Sequence, residues 1–204
     1  CDWSSDVCSS DLTEETLTAR ARFLGERGFL TDAKVLFLGD YDLTSLACLP
    51  LAENTEIWVL DIDQEVLEVI RRGGRGEIAT VEHNLTNPLP RRLRASFDAV
   101  FLDPPYTLGG VSLFLSRAVE ALAKGGRGRV FLCYGSLDPV RSLAVQEKIL
   151  TQGILFEEIR PGFNQYLASK TIGDTSDLYL LRPTPKTRPQ IRGEYRGKVY
   201  TWEK

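Results

Sequence analysis

Apolar residues fall along this chain in short blocks. Lys34 to Leu38, Ile57 to Leu60, Ile78 to Val81, Ala99 to Leu102 and Arg129 to Cys133 are four or five residues long and rich in aliphatic and aromatic side chains. Runs of that length, closed by Gly, Pro or an acid, fit strands buried on both faces. Stretches with helical spacing lie around and between them. Leu17, Ala21 and Leu24 share one face of Thr13 to Arg27, with Glu14 and Glu15 in its first turn and Gly28 at its end. A helical stretch after Ser45 runs to Leu51. Val66, Leu67 and Ile70 follow a capping Asp63, and Leu115, Ala118 and Leu122 mark a helix that ends near Lys124. Asp138 caps a further helix to Gln152. Ile154 to Ile159 and Asp177 to Leu181 read as a closing hairpin, with Phe163, Asn164, Gln165 and Tyr166 between them. The alternation predicts an α/β protein with a doubly wound, mostly parallel sheet and an antiparallel edge. That is the Rossmann-like class I S-adenosylmethionine-dependent methyltransferase fold.

In such a sheet the ligand site lies at the carboxyl ends of the strands, so the residues following each apolar block become candidates. The first block opens into Gly39-Asp40-Tyr41-Asp42-Leu43-Thr44-Ser45, with one glycine where dinucleotide binders use three. A methionine carboxylate favours backbone N–H groups at such a turn. Asp40 and Asp42 would repel it and attract a ligand end carrying only an ammonium. Asp61 ends the second block about twenty residues on, where Rossmann-like folds hold ribose hydroxyls. Asn84, beside the single histidine His83, is placed to meet an adenine edge. The fourth block ends in Asp103-Pro104-Pro105-Tyr106: two prolines stiffen the loop and remove two backbone donors. Asp103 can then accept a proton or hydrogen bond from an amine, with Tyr106 and Tyr134 as walls.

Charge and composition narrow the partners. The 204 residues carry a formal net charge of −3, so nucleic acid is not the expected partner. No apolar run approaches the ~20 residues of a membrane span. The four cysteines, Cys1, Cys8, Cys48 and Cys133, lack metal-type spacing, which predicts no metal site and a reducing, cytoplasmic setting. Residues 184–204 form a basic, proline-containing tail with Tyr195, Tyr200 and Trp202 among its cations. It is expected as a mobile flap, a nucleic-acid contact or a solvated end. Asp2 to Leu12, DWSSDVCSSDL, is the translation of a common sequencing-library adapter. Residues 1–12 are therefore set aside from fold reasoning as an artefact, and residues 13–183 are expected to form the catalytic domain.

The motifs together resemble one family. GDYDLTS at Gly39 to Ser45, the acids Asp61 and Asp63 in VLDID, NPLP at Asn87 to Pro90, DPPYT at Asp103 to Thr107 and the lead-in Thr13 to Gly28 are similar to the branched-chain polyamine synthases, the N4-bis(aminopropyl)spermidine synthases. The resemblance implies a Rossmann-like catalytic domain, here without the family's N-terminal winged-helix domain, and a possible homodimer. It implies aminopropyl transfer from decarboxylated S-adenosylmethionine, as co-substrate, to the secondary amine of spermidine, releasing methylthioadenosine. Spermidine is a polycation and the donor ends in an ammonium, which suits a cleft lined by Asp40, Asp42 and Asp103. A carboxylate there would also take the proton of the attacking amine. Asp42 and Asp103 are expected to bind the amine and act as base, Asp40 to take the donor's ammonium, and Asp61 its ribose. Two positions depart from the family. Tyr41 stands where a middle acid is common, and Asn84 where an Asp often follows the His.

The residues leave two other readings open. D-P-P-Y after a central strand marks enzymes that methylate exocyclic amines of nucleic-acid bases, where the Tyr stacks on a flipped base. A polyamine-sensing module without turnover would need the same acids.

Overall fold

The computed structural model describes residues 12–135, 138–167 and 174–199. Residues 1–11 of the adapter-like stretch, and Ser136, Tyr200 and Trp202 farther on, lie outside them. The described residues form a seven-stranded sheet with strands β1 (Lys34–Leu38), β2 (Glu56–Asp61), β3 (Ile78–Glu82), β4 (Ala99–Leu102), β5 (Arg129–Tyr134), β6 (Ile154–Gln165) and β7 (Thr175–Pro183). Their order is β3-β2-β1-β4-β5-β7-β6. The first five are mutually parallel, while β7 pairs antiparallel with both β5 and β6. The chain thus has the methyltransferase-type fold, with the order reversing at β1 and β4.

Each strand feeds both faces, because successive side chains point to opposite sides. Val35, Phe37, Ala99, Phe101, Phe131 and Cys133 pack beneath helices α1 (Glu14–Glu26), α2 (Thr44–Cys48) and α3 (Gln64–Gly73). Leu36, Leu38, Val100, Leu102, Val130 and Leu132 pack beneath α4 (Leu108–Ala121) and α5 (Pro139–Thr151). The Phe101 and Phe131 rings stack at 6.4 Å, and Phe23 of α1 meets Phe131 edge-on at 5.8 Å. Each such buried ring contributes roughly 1.5–3 kcal/mol by leaving water. That packing fixes α1 against the sheet.

The helices begin where caps predict. The Thr13 Oγ1 accepts from the Thr16 N–H, Asp63 from Glu65 and Val66, Thr107 from Gly110, and Asp138 from Val140. The expected helix after Ser45 is shorter: α2 stops at Cys48 and a 3-10 turn with Pro50 takes over at Leu49–Leu51, since Pro50 cannot donate to a continuing ladder. The closing hairpin is longer than expected. β6 runs through Phe163, Asn164 and Gln165, which its register shifts between Phe156/Glu158 and Arg160/Asn164 accommodate. Leu12 is buried and bridges Tyr166.

The basic tail departs most from its expectation. From Thr184 to Val199 it is a strap bound along α4 and α5. The Thr184 and Thr187 hydroxyls donate to the Gly153 carbonyl, Arg188 N–H to Gln152, and Ile191 N–H to the Ser116 hydroxyl. Arg117 of α4, fully buried, donates to the carbonyls of Leu85, Thr86, Ile191 and Gly193 and pairs with Glu120. Val199 is buried, and its carbonyl accepts from Thr107 Oγ1.

Candidate active site

A cleft of about 980 Å³ opens over the carboxyl ends of β1 to β4, at the point where strand order reverses. It gathers Gly39, Asp40, Asp42, Asp61, Asn84, Asp103, Pro104 and Tyr106 on its lining, so eight of the sequence-derived candidates converge. Among the described residues, five aspartates line it (Asp40, Asp42, Asp61, Asp63 and Asp103) against two arginines, Arg20 and Arg141. The cleft is therefore electronegative whatever the near-neutral whole.

The floor is made by the ends of β1 and β4. β4 is four residues long and wholly buried, so Asp103 emerges as soon as the strand leaves the core. Arg20 meets it there. This guanidinium is 1% exposed, and donates from Nη2 to Asp103 at 2.8 Å, from Nη1 to Asp42 and to Thr44 Oγ1 at 3.2 Å, and from Nε to Asn164 Oδ1 at 2.7 Å. Its plane lies over the Phe101 ring at 5.3 Å. Burial opposes its charge, but Cys133, Asp103 and Asp42 together hold it above the usual arginine value. Burial pushes Asp103 up to about 6; Arg20 pulls it down, and the neighbouring Asp42 carboxyl pushes it up again.

Asp40 sits deeper in the first turn. Gly39 takes a φ of 71°, in the region that favours glycine, and aims the turn toward β2. The Asp40 N–H donates to Asp61 Oδ2 at 3.1 Å, while its carboxylate accepts the Ser45 N–H at 3.1 Å at the start of α2. Burial drives its carboxyl up to about 7 against those hydrogen bonds, and the charge of Asp42 adds to the rise. Its carboxylate thus serves a helix start as well as facing the cleft. Asp61 is more open and also accepts the Asp63 N–H at 2.9 Å.

Farther along, Asn84 folds its Oδ1 back onto the Thr86 N–H and hydroxyl, fixing the loop after β3. His83 lines the cleft there, 3.4 Å from the Asn87 carbonyl. Tyr106 faces Asp103, and its phenol lies 3.5 Å from that of Tyr166, which in turn meets Ser176 at 2.8 Å. Burial, the charge of Asp103 and Tyr166 raise the Tyr106 phenol, so it stays neutral. Tyr134, expected as a wall, is buried behind Tyr106 with ring centroids 5.0 Å apart, and its hydroxyl accepts from Arg141. It supports the wall rather than forming it. Tyr41, between the two acids of the first turn, is 54% exposed at the rim.

Arg20 and Arg141 were not among the sequence-derived residues. Arg20 had a signal: it stands three residues after Leu17 and four before Leu24, a charge on the apolar stripe of an otherwise ordinary helix. Arg141, exposed in sequence pattern on α5, had none.

The model of the branched-chain polyamine synthase A C-terminal domain matches residues 5–191. The chain belongs to that family. An N4-bis(aminopropyl)spermidine synthase from Thermococcus kodakarensis is 32% identical over 200 residues, covering 94% of this chain and 56% of the relative. An uncharacterized protein of Methanocaldococcus jannaschii is 41% identical over 173 residues, 83% of this chain and 44% of that one. The chain spans about half the length of the curated relatives it matches. The branched-chain polyamine synthase of Thermus thermophilus, solved with N4-aminopropylspermidine and 5'-methylthioadenosine, is 25% identical with a TM-score of 0.81, covering 93% of this chain and 61% of that one. TrmN from the same organism, at 17% identity and TM-score 0.62, over 86% of this chain and 50% of that one, shares the fold alone. Among the described residues, no His, Cys, Asp and Glu group could hold a metal, and no helix is long and apolar enough to cross a membrane.

Proposed function

We propose that this chain carries the catalytic site of an aminopropyltransferase that builds branched polyamines from decarboxylated S-adenosylmethionine and a linear polyamine such as spermidine. The observation that carries the reading is the Asp42–Asp103 carboxylate pair, bridged by Arg20 at the mouth of β1 and β4 in a cleft where, among the described residues, aspartates outnumber arginines. Two polycationic or ammonium-bearing reactants are drawn to such a cleft. Family membership and the Thermus relative's bound molecules support the same substrates.

In this reading Asp61 holds the donor's ribose and the Asn84 loop its base. Asp40 faces the donor's ammonium while its other contacts fix the start of α2. Asp42 and Asp103 bind the acceptor. The acceptor's secondary nitrogen attacks the aminopropyl carbon on sulfur. The N–C bond forms, the C–S bond breaks with its electron pair staying on sulfur, and the nitrogen's proton passes to the carboxyl pair. Neutral methylthioadenosine leaves. An amine with a pKa near ~10 must lose its proton before it can attack, so a carboxylate within reach is required chemistry. If a second group is added to the same nitrogen, as the relatives' names indicate, the product is a quaternary cation with no proton to give. The pair then serves the second round by deprotonating the tertiary ammonium beforehand and by facing the fixed charge afterwards. Holding nitrogen, carbon and sulfur in line supplies much of the remaining acceleration.

Replacing Asp103 by Asn should lower turnover by about 10²–10⁴-fold, the usual worth of a positioned acid or base. Asp42→Asn should lose activity as well, with methylthioadenosine binding by calorimetry retained in both. Wild-type rates in the two variants would contradict the mechanism.

A further inference from the structure

The carboxyls of Asp42 and Asp103 do not stand alone, and no part of the mechanism above requires the group that joins them. Arg20 reaches across from α1, the helix that covers the sheet, and touches four separate pieces of the fold. Its Nη1 spans Asp42 on the first turn and Thr44 at the start of α2, its Nη2 takes Asp103 at the end of β4, and its Nε takes Asn164 on β6. Asn164 is itself held, donating to Ser176 Oγ at 3.0 Å and lying 3.8 Å from Cys133 Sγ. The guanidinium is a rigid planar fork, so the two carboxylates it joins cannot separate or rotate independently.

We infer that Arg20 is a positioning residue for aminopropyl transfer: it clamps Asp42 and Asp103 into one proton-accepting unit and sets the pH at which that unit accepts a proton. This rests on the function proposed above and deepens it. Two like charges in contact resist joint ionisation. A buried cation bonded to both makes their ionisation tolerable near neutrality. Among the described residues, the other titratable groups facing the unit include Asp40 from the same turn, Tyr106 from the loop after β4, Cys133 from β5 and Tyr166 just past the end of β6. The Tyr106 and Tyr166 phenols are raised, and burial pushes the Cys133 thiol up to about 12, so none of these three is charged near neutrality. Among the described residues, Arg20 is therefore the cation bonded to both carboxylates, and it opposes Asp42 in setting the protonation of Asp103. A guanidinium buried only to hold α1 against the sheet would not move that protonation.

The clamp predicts opposite displacements from its two ends. Arg20→Gln removes the cation and should move the acid limb of kcat/KM upward by about 1–3 pH units, the usual effect of an adjacent opposite charge. Asp42→Asn removes the like charge and should move the limb of the residual activity downward. Arg20→Lys keeps the charge and loses the fork, so its limb should stay near wild type while kcat falls at least tenfold. Carboxyl NMR titration of Asp103 in the ligand-free protein reads the same shifts without turnover. It separates failure of this inference from failure of the proposed reaction. Methylthioadenosine binding verifies that each variant is folded; should Arg20→Gln not fold, Arg20→Lys and Asp42→Asn still decide. An Asp103 titration and pH limb unmoved by Arg20→Gln would overturn the inference, as would an upward shift in Asp42→Asn.

Discussion

Asp40 answers to two demands. Its carboxylate lines a cleft suited to cations, yet the same oxygens accept the Ser45 N–H in the first turn of α2. Burial raises it to about 7, and Asp103 to about 6. A carboxyl whose folded value lies above its unfolded one binds its proton more tightly in the folded state. The stability it adds is complete below about pH 4, the unfolded value, and is lost as pH rises through about 6 and 7. Unfolding free energy should therefore decline over that window. Asp40→Asn keeps an oxygen for the Ser45 N–H and removes the titration. Denaturant unfolding should show the variant's decline smaller than wild type by on the order of 1–3 kcal/mol; an identical pH dependence would remove Asp40 from the account. At this scale the sequence was legible wherever a residue follows directly from a strand end, as Asp61 and Asp103 do. It was silent where a side chain arrives from a distant element. The Arg20 contact to Asp103 spans 83 residues of chain, and no local pattern encodes it. Tyr134 was misplaced for a related reason: it is the last residue of β5, and alternation turns it into the α4 side of the core rather than the cleft.

Among the elements, the strap from Thr184 to Val199 was the least legible. A basic, proline-containing stretch lacks hydrophobic periodicity, and its hold on the protein is made by backbone groups, which composition does not report. Its partners were visible only as oddities: a buried arginine in α4 and two glycines at its start. Both glycines are explained by close approach. A Cβ on Gly109 would lie 2.4 Å from the Lys198 carbonyl oxygen, and one on Gly110 would lie 3.1 Å from that of Val199. Gly109→Ala should push the strap off the cleft rim at a cost of about 1–3 kcal/mol. Its KM for the polyamine should rise, with the sheet intact by circular dichroism. Unchanged KM and stability would show that the strap does not bear on the cleft. The strands, by contrast, were readable almost to the residue, because a strand buried on both faces must be apolar throughout. The β6–β7 hairpin ran past its predicted ends because Arg160 and Gln165 are polar residues on an edge strand, where one face meets water, and Asn164 is a polar residue buried there by its hydrogen bonds to Arg20 and Ser176.

For the whole molecule, a formal charge of −3 conceals a strongly acidic cleft, because most of the cations lie away from it, many of them along the tail. Attraction of a polycation to that cleft is screened by salt. Raising ionic strength should increase KM for the polyamine severalfold while kcat changes little; a KM indifferent to salt would argue against electrostatic capture. The same acidity should distinguish donors, since the Asp40 and Asp42 carboxylates that line the cleft would repel a methionine carboxylate. The most direct test is product mass spectrometry on this chain with spermidine and either decarboxylated or intact S-adenosylmethionine. The account predicts one or two added aminopropyl groups and methylthioadenosine with the decarboxylated donor, and no transfer with the intact one. A folded protein that binds methylthioadenosine yet transfers nothing from the decarboxylated donor, or that methylates from the intact one, would contradict it.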